Sequence, residues 1–358
     1  MGAGLWTVVI VETVDPLARV SKVSGLICAF VLVASTGTLV FGTAAPDRRE
    51  LQDRYRRPHE IPFPKGDSYS EAKSKLGRIL FFDPILSGSK MRSCASCHNP
   101  GLSWSDGLPR AIGEGQQSLL LRTPTLLNVA WTPMLGWDGH SRDLEDFALG
   151  PITTANNMNL SEEILIKRLG TISGYVDAFD AAFGEGDITM NKIEAALATF
   201  ERSIISTEAP FDRWISGDET AIDESAKHGF GLFNGKANCA ACHSGWAFTD
   251  ASFHDIGTAQ NDDIGRGKLF PTSVKLRYAF KTPTLRDVAR RGPYMHDGSV
   301  PTLKAVIELY DRGGVDRPSR ANEIYPLGLT EQEKADLIAF LDALTGKPAL
   351  VSFPTLPR

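Results

Sequence analysis

Two copies of a cysteine-cysteine-histidine frame are the residues of this sequence best suited to chemistry. They read Cys94-Ala95-Ser96-Cys97-His98 and Cys239-Ala240-Ala241-Cys242-His243. In a C-x-x-C-H frame the two thiols bond covalently to the vinyl groups of a c-type haem, and the histidine supplies an axial nitrogen to the iron. A disulfide and half of a zinc site are the alternatives for a single frame. Two frames in one chain favour two covalently bound haems.

Other short segments of the chain also occur twice. Thr123-Pro124-Thr125-Leu126 returns as Thr282-Pro283-Thr284-Leu285, and Asp138-Gly139 returns as Asp297-Gly298. The first threonine and the aspartate are 15 residues apart in both copies. The chain therefore reads as an internal duplication of one haem module.

Apolar residues at helical spacing surround both frames. Ser70, Ser161 and Thr330 precede such stretches as candidate N-cap residues, and Thr330 with Glu333 forms a capping box. No long alternating strand pattern is present, whereas 33 glycines and 21 prolines indicate many loops. We predict a mostly α fold of two cytochrome-c-like haem domains, related by internal duplication, with long loops and little β-structure.

The length of 358 residues leaves room for two domains, and the polar stretch from Glu208 to Glu224 is the predicted seam. A net charge of -5 argues against a nucleic-acid partner. The predicted segments are a linker at 46–66, an N-terminal haem domain at 67–215, a C-terminal haem domain at 216–346 and a tail at 347–358.

Residues 1–45 carry the pattern of a signal peptide. Arg19 and Lys22 precede an apolar run at residues 25–41, and Gly42-Thr43-Ala44 offers small residues for cleavage. An uncleaved N-terminal membrane anchor is the alternative, because the run is barely long enough to cross a bilayer. Either interpretation places the rest of the chain in an exported, oxidising compartment.

The duplication allows the sixth ligand of each iron to be compared. Tyr310 follows Asp297 by 13 residues, whereas the equivalent residue after Asp138 is Pro151, which cannot bind iron. A phenolate could thus occupy the sixth coordination position of the second haem iron. The first haem would keep the open face that a catalytic iron needs. A tyrosine packed in a helix core is the alternative for Tyr310.

Together these motifs resemble the bacterial di-haem cytochrome c peroxidase and MauG superfamily over residues 67–345. The resemblance rests on the two frames together with Trp137-Asp138-Gly139, Gly150-Pro151, Thr282-Pro283-Thr284-Leu285-Arg286 and Pro293-Tyr294-Met295-His296-Asp297-Gly298. It implies a periplasmic protein in which the first haem reacts with peroxide and the second transfers electrons. It also implies that Tyr310 ligates the second haem, as in the MauG-like branch. Trp137 matches the tryptophan that couples the haems, with a buried core tryptophan as the alternative.

Several positions depart from the family pattern around the first haem. Glu114 replaces the loop histidine that blocks this haem in ordinary peroxidases, and is either a solvated loop residue or a replacement acid near the iron. Asn157 stands where the family has the glutamate that moves the peroxide proton, and an amide cannot do this near neutral pH. Phe147 stands where a glutamine is usual, which makes the pocket more apolar.

The resemblance also implies a calcium ion between the haems, held partly by an asparagine side chain. Arg122 stands at that position, which puts calcium in doubt.

The leading hypothesis is a peroxide-dependent di-haem c oxidoreductase of the periplasm. Electrons would pass from the haem of His243 and Tyr310 through Trp137 to the open haem of His98. The partners would be hydrogen peroxide and a small cytochrome c or cupredoxin donor. One alternative is MauG-like oxidation of side chains on a protein substrate, and another is a non-catalytic electron-transfer or sensor protein. Membrane association is expected only if the leader is retained.

Overall fold

The computed structural model describes residues 48–66 and 68–358, so the predicted leader at 1–45 lies outside the described residues. The α-helices are Arg48–Tyr55 (α1), Glu71–Phe82 (α2), Cys94–Cys97 (α3), Leu144–Thr153 (α4), Glu162–Gly170 (α5), Ser173–Phe183 (α6), Met190–Arg202 (α7), Pro210–Ile215 (α8), Glu224–Asn234 (α9), Leu303–Arg312 (α10) and Glu331–Ala343 (α11). Two short antiparallel strands, Phe253–His254 (β1) and Phe280–Lys281 (β2), pair with Phe253 opposite Lys281. Short 3₁₀ turns lie at Pro84–Leu86, Pro100–Leu102, Glu114–Gln116, Val129–Trp131, Cys239–Ala241, Arg266–Lys268 and Val288–Arg290. The mostly α fold with little β-structure is confirmed.

The predicted helix caps are confirmed at the starts of three helices. The Ser70 hydroxyl accepts a hydrogen bond from the Lys73 backbone in α2, and Ser161 caps α5 in the same way. Thr330 and Glu333 form a reciprocal capping box at the start of α11. Each cap satisfies backbone N–H groups that the first helical turn cannot pair internally.

The internal duplication is visible in two matching helix crossings. Helix α2 crosses α7 at Gly77, and α9 crosses α11 at Gly229. A Cβ atom at Gly77 would lie 1.8 Å from the Ala196 carbonyl oxygen, and one at Gly229 would lie 1.9 Å from the Asp336 carbonyl oxygen. Both crossings therefore depend on a residue without a side chain.

The described chain from residue 48 onward contains two hydrophobic cores within one compact unit. The first core is built from residues between Leu76 and Ile204, and the second from residues between Phe211 and Leu344 together with Tyr55 of α1. This division agrees with two haem domains, while their proposed boundaries stay a prediction. Within the described ranges, no helix has both the length and the apolar character needed to cross a membrane.

The C-terminal segment returns to the first core after leaving the second. Val351 and Leu356 pack against the first core, and the ring of Phe353 lies 5.2 Å from that of Phe82 between centroids. Arg78 donates a hydrogen bond of 2.9 Å to the Ser352 hydroxyl. The residues predicted as a tail thus tie the end of the chain to its first half.

Candidate functional site

The first cysteine frame forms helix α3 and the turn that follows it. Burial lowers the pKa of His98, so its imidazole is neutral. Its Nδ1 atom lies 3.2 Å from the carbonyl oxygen of Trp104, which can only accept a hydrogen bond and therefore keeps the proton on Nδ1. A backbone carbonyl that fixes the tautomer in this way leaves Nε2 as the metal-binding atom.

The second frame repeats this arrangement. The Nδ1 atom of His243 lies 3.0 Å from the carbonyl oxygen of Phe248, and burial again lowers the pKa of the imidazole. Both histidines are therefore neutral and oriented by a carbonyl a few residues downstream. Because each frame brings its cysteines and histidine together locally, both halves of the chain can attach a haem in the same way.

Burial keeps three thiols of the two frames protonated. It raises the pKa of Cys94 and Cys97, and raises that of Cys239 to about 12. Cys242, Asp250 and His254 do bring their ligand atoms within 4.8 Å of one another. However, the Cys242 sulfur is a thioether once haem c is attached. All four cysteines are free of disulfides in the structure.

A large, mainly apolar cavity lies beside the second frame. Cys239, Cys242 and His243 line it, and Tyr310 of α10 lines it as well. Burial raises the pKa of Tyr310, so the phenol keeps its proton unless a strong positive charge such as ferric iron comes close. The donor set and the apolar walls fit a covalently bound haem with a histidine and a tyrosine available as axial ligands.

Trp137 lies between this cavity and a smaller one at the contact of the two halves, and it lines both. Its side chain is 9% exposed, and its indole N–H donates a 2.8 Å hydrogen bond to the Arg122 carbonyl. The Lys281 backbone N–H donates to the Trp137 carbonyl at 2.8 Å. The ammonium group of Lys281 donates to the Met134 carbonyl, and burial lowers its pKa to about 8. Sequence reasoning missed this lysine because nothing local marks it as buried.

The residues predicted around the open face of the first haem come from two neighbouring segments. The Glu114 backbone N–H donates a 2.7 Å hydrogen bond to the Asn157 carbonyl, so these two residues are neighbours. The Glu114 carboxylate accepts a hydrogen bond of 3.1 Å from the Ser89 hydroxyl, and Asn157 is half-buried. Phe147 packs in α4 among apolar residues four positions before Pro151. The backbone of Glu114 thus lies beside the position where the family glutamate is missing, while its carboxylate is held by Ser89.

Glu201 is a buried acid that sequence reasoning also missed. It lies on α7 next to Phe200. Phe200 lies beside Gly77 at the first helix crossing, and Phe340 of α11 lies beside Gly229 at the second, so these two phenylalanines occupy equivalent positions. Glu201 therefore corresponds to Leu341, which lines the second cavity. Burial raises the pKa of Glu201 to about 8, an effect that Arg202 partly offsets. Sequence reasoning missed Glu201 because helical spacing alone does not distinguish a buried acid from a surface acid.

The model of the di-haem cytochrome c peroxidase family matches residues 71–220, and the cytochrome c model matches residues 226–345. The methylamine utilization protein MauG of Methylorubrum extorquens is 49% identical over 95% of this chain and 97% of its own length. Cytochrome-c peroxidase IdrP1 of Pseudomonas sp. strain SCT is 34% identical over 93% of this chain and 94% of its own.

A solved structure is also similar to this chain. The crystal structure of a MauG-like protein associated with microbial copper homeostasis superimposes with a TM-score of 0.76 at 30% identity. The superposition covers 81% of this chain and 95% of that protein.

Proposed function

This chain belongs to the di-haem cytochrome c peroxidase and MauG family, and on that premise we propose that it reduces hydrogen peroxide while oxidising side chains of a partner protein. It is a di-haem, peroxidase-like oxidoreductase with two covalently bound haem c groups. Reduction of one peroxide to two waters consumes two electrons and two protons. A two-electron oxidation of a side chain with loss of two protons balances this reaction.

The residues that hold the haems follow from the two frames. Cys94 and Cys97 would attach the first haem, with His98 as its axial ligand. Cys239 and Cys242 would attach the second, with His243 and Tyr310 as axial ligands. When bound, the first haem supplies an iron that reacts with peroxide, and the second supplies an iron that carries electrons.

The main support for a protein substrate is the position of Tyr310, which lines the same cavity as His243. An anionic oxygen ligand stabilises oxidised iron, which suits a protein that must hold oxidising equivalents until a large partner docks. Trp137, at the border of two cavities, supports a role in coupling the two haems. The 49% identity with MauG over nearly the whole chain favours the same choice.

Proton transfer is the step for which this chain lacks the family residue. Asn157 can donate hydrogen bonds and hold a water molecule but cannot exchange a proton with peroxide. We propose that Glu114, whose backbone is hydrogen-bonded to Asn157, serves as the replacement acid. Ser89 orients the Glu114 carboxylate through its 3.1 Å hydrogen bond.

A second candidate function is peroxide removal with a small cytochrome c or cupredoxin as the electron donor. The 34% identity with a cytochrome-c peroxidase over 93% of the chain favours it. We propose the periplasm as the location for either function, on the export pattern of residues 1–45.

Stopped-flow spectroscopy of the purified di-ferric protein separates the two functions. The protein is mixed with hydrogen peroxide and then with reduced cytochrome c. A rapid spectral change that cytochrome c barely reverses supports oxidation of a protein partner. Rapid reversal with multiple turnovers supports the cytochrome c peroxidase function instead. Absence of any spectral change with peroxide would contradict both.

The variant Asn157→Glu restores the family carboxylate and should raise the rate of the reaction with peroxide by about 10²-fold, the low end of general acid–base effects. Asn156→Glu is the matched control, because Asn156 is exposed and should leave the rate unchanged. Glu114→Gln should lower the rate in the parent protein. Equal rates for Asn157→Glu and Asn156→Glu would show that residue 157 does not face the iron.

A further inference from the structure

Two buried arginines meet where the halves of the chain contact each other. Arg122 immediately precedes the first Thr-Pro-Thr-Leu segment, and Arg291 follows the second by six residues. Arg122 is 4% exposed and Arg291 is 5% exposed. Both line the cavity that contains His243, and both line the smaller cavity beside Trp137. Two fixed positive charges therefore border the second haem site and the cavity beside Trp137.

Neither arginine forms a direct ion pair among the described residues, although the charges of Asp106 and Asp287 partly offset the lowering of the Arg122 and Arg291 pKa values. Arg122 Nη2 donates to the Ser105 hydroxyl at 3.2 Å and to the Arg291 carbonyl, while Arg291 Nη2 donates to the Thr284 carbonyl. The Nε atoms of both arginines are buried without an acceptor. Burial lowers both pKa values, and the proximity of Arg122 contributes to lowering that of Arg291 to about 10.

A buried guanidinium with an unused N–H group is costly unless an anion accepts the hydrogen bond. Arginine binds carboxylates particularly well, because its planar group offers parallel N–H donors. Each haem c carries two propionate carboxylates. Arg122 and Arg291 line the same cavity as Cys239, Cys242 and His243, so a propionate of the haem held there would share the cavity with them.

The calcium ion that the family implies does not fit these residues. Calcium binds six to eight oxygen ligands, whereas Arg122 presents only N–H donors where the family has an asparagine oxygen. The Arg291 carbonyl, which a cation could use, already accepts a hydrogen bond from Arg122. Two adjacent guanidinium groups would also repel a divalent cation.

We infer that Arg122 and Arg291 form a permanent cationic site that receives haem propionate and takes the place of the inter-haem calcium. The chain then needs no calcium to keep its two haems in their working environment. This inference depends on the two bound haems but not on the proposed reaction with peroxide. Both tests below use the resting holoprotein, so they can fail or succeed independently of turnover.

The first test measures the calcium content of the holoprotein by elemental mass spectrometry, before and after dialysis against EGTA. We expect calcium far below one ion per chain, and identical optical and electron paramagnetic resonance spectra before and after dialysis. Stoichiometric calcium, or spectra that change with EGTA and recover when calcium is added, would overturn the inference.

The second test measures the reduction potentials of both haems by spectroelectrochemistry in Arg122→Met and Arg122→Lys. Methionine removes the charge without supplying an oxygen ligand for calcium. Loss of a nearby positive charge stabilises the oxidised haem, so Arg122→Met should lower at least one potential, and Arg122→Lys should keep it close to that of the parent protein. Arg290→Met is the matched control, because Arg290 is exposed and adjacent to Arg291. Potentials in Arg122→Met that equal those of Arg290→Met would contradict a propionate contact.

Discussion

Single residues decide how each haem site behaves, and Tyr310 is the clearest example. It lines the cavity of His243, and burial raises the pKa of its phenol. In the proposed ligation the iron would have to provide the charge that removes the phenolic proton, and the resulting oxygen ligand would favour the oxidised metal. A methionine sulfur at the same position would favour the reduced metal. The residue at position 310 therefore affects how readily the second haem accepts electrons from a donor.

Tyr310→Met should raise the reduction potential of the second haem by a substantial part of the roughly 0.8 V range that axial ligands span. Spectroelectrochemical titration of the holoprotein measures this change. Tyr325→Met is the matched control, since Tyr325 borders the same cavity but is 42% exposed. If both variants keep the potential of the parent protein, Tyr310 does not ligate the iron.

Glu201 has a predictable effect on the pH dependence of stability. Burial keeps it protonated in the folded chain up to about pH 8, whereas its ordinary pKa is 4.5. The folded state therefore binds more protons than the unfolded state between these values, and stability falls as pH rises through this window.

Glu201→Gln should match the parent protein near pH 4.5 and become more stable than it by roughly 1–3 kcal/mol near pH 8. Thermal unfolding of the holoprotein at several pH values measures the difference. Glu185→Gln, at an exposed position, serves as the control. A stability gain that does not vary with pH would mean that burial does not shift the Glu201 pKa.

At the scale of elements, two glycine crossings hold the helix pairs that enclose the haem sites. The backbone carbonyl of the partner helix occupies the space that a side chain would need at both crossings. Helix propensity alone would favour alanine over glycine by about 1 kcal/mol. The close approach of the helices therefore outweighs propensity at Gly77 and Gly229.

Gly229→Ala should destabilise the holoprotein by about 1–3 kcal/mol, because the new methyl group would force α9 away from α11. Gly231→Ala in the same helix should stabilise it by about 0.5–1 kcal/mol, since no heavy atom lies within 4 Å of a Cβ atom there. Denaturant unfolding compares the two variants. A destabilisation shared equally by both would show that helix packing is not the cause.

At the scale of the whole molecule, the described chain contains two hydrophobic cores, and its C-terminal segment returns from the second core to the first. Residues from both halves line the cavities beside Trp137, so the environment of the second haem depends on Arg122 and Trp137 of the first half. The C-terminal segment packs on the first core after α11 completes the second. The end of the chain thus couples the stability of the two halves.

Leu356→Ala should lower the stability of the holoprotein by about 1–2 kcal/mol, below the range for fully buried leucines because Leu356 is only half-buried. Leu350→Ala is the matched control in the same segment, because Leu350 is fully exposed. Calorimetry of both variants tests the prediction. Equal transition temperatures would show that the segment contributes nothing to the first core.

The sequence by itself determined the number and type of haems, the helical fold, three helix caps and the duplication. These features depend on residues close together in the chain or on fixed spacings between motifs. A C-x-x-C-H frame needs only one local turn to present its ligands, and Ser70 caps a helix that begins at the next residue. Local geometry and repetition can therefore be predicted without knowing which segments pack together.

Only the tertiary structure decided which distant groups share an environment. Arg122 and Arg291 are 169 residues apart, yet one donates to the carbonyl of the other. Glu201 and Leu341 occupy equivalent helical positions, and their helical spacing alone does not distinguish a buried acid from a surface acid. Charges, burial and hydrogen bonds between remote segments depend on how the two halves pack against each other, and this packing determines the electrostatics between the haem sites.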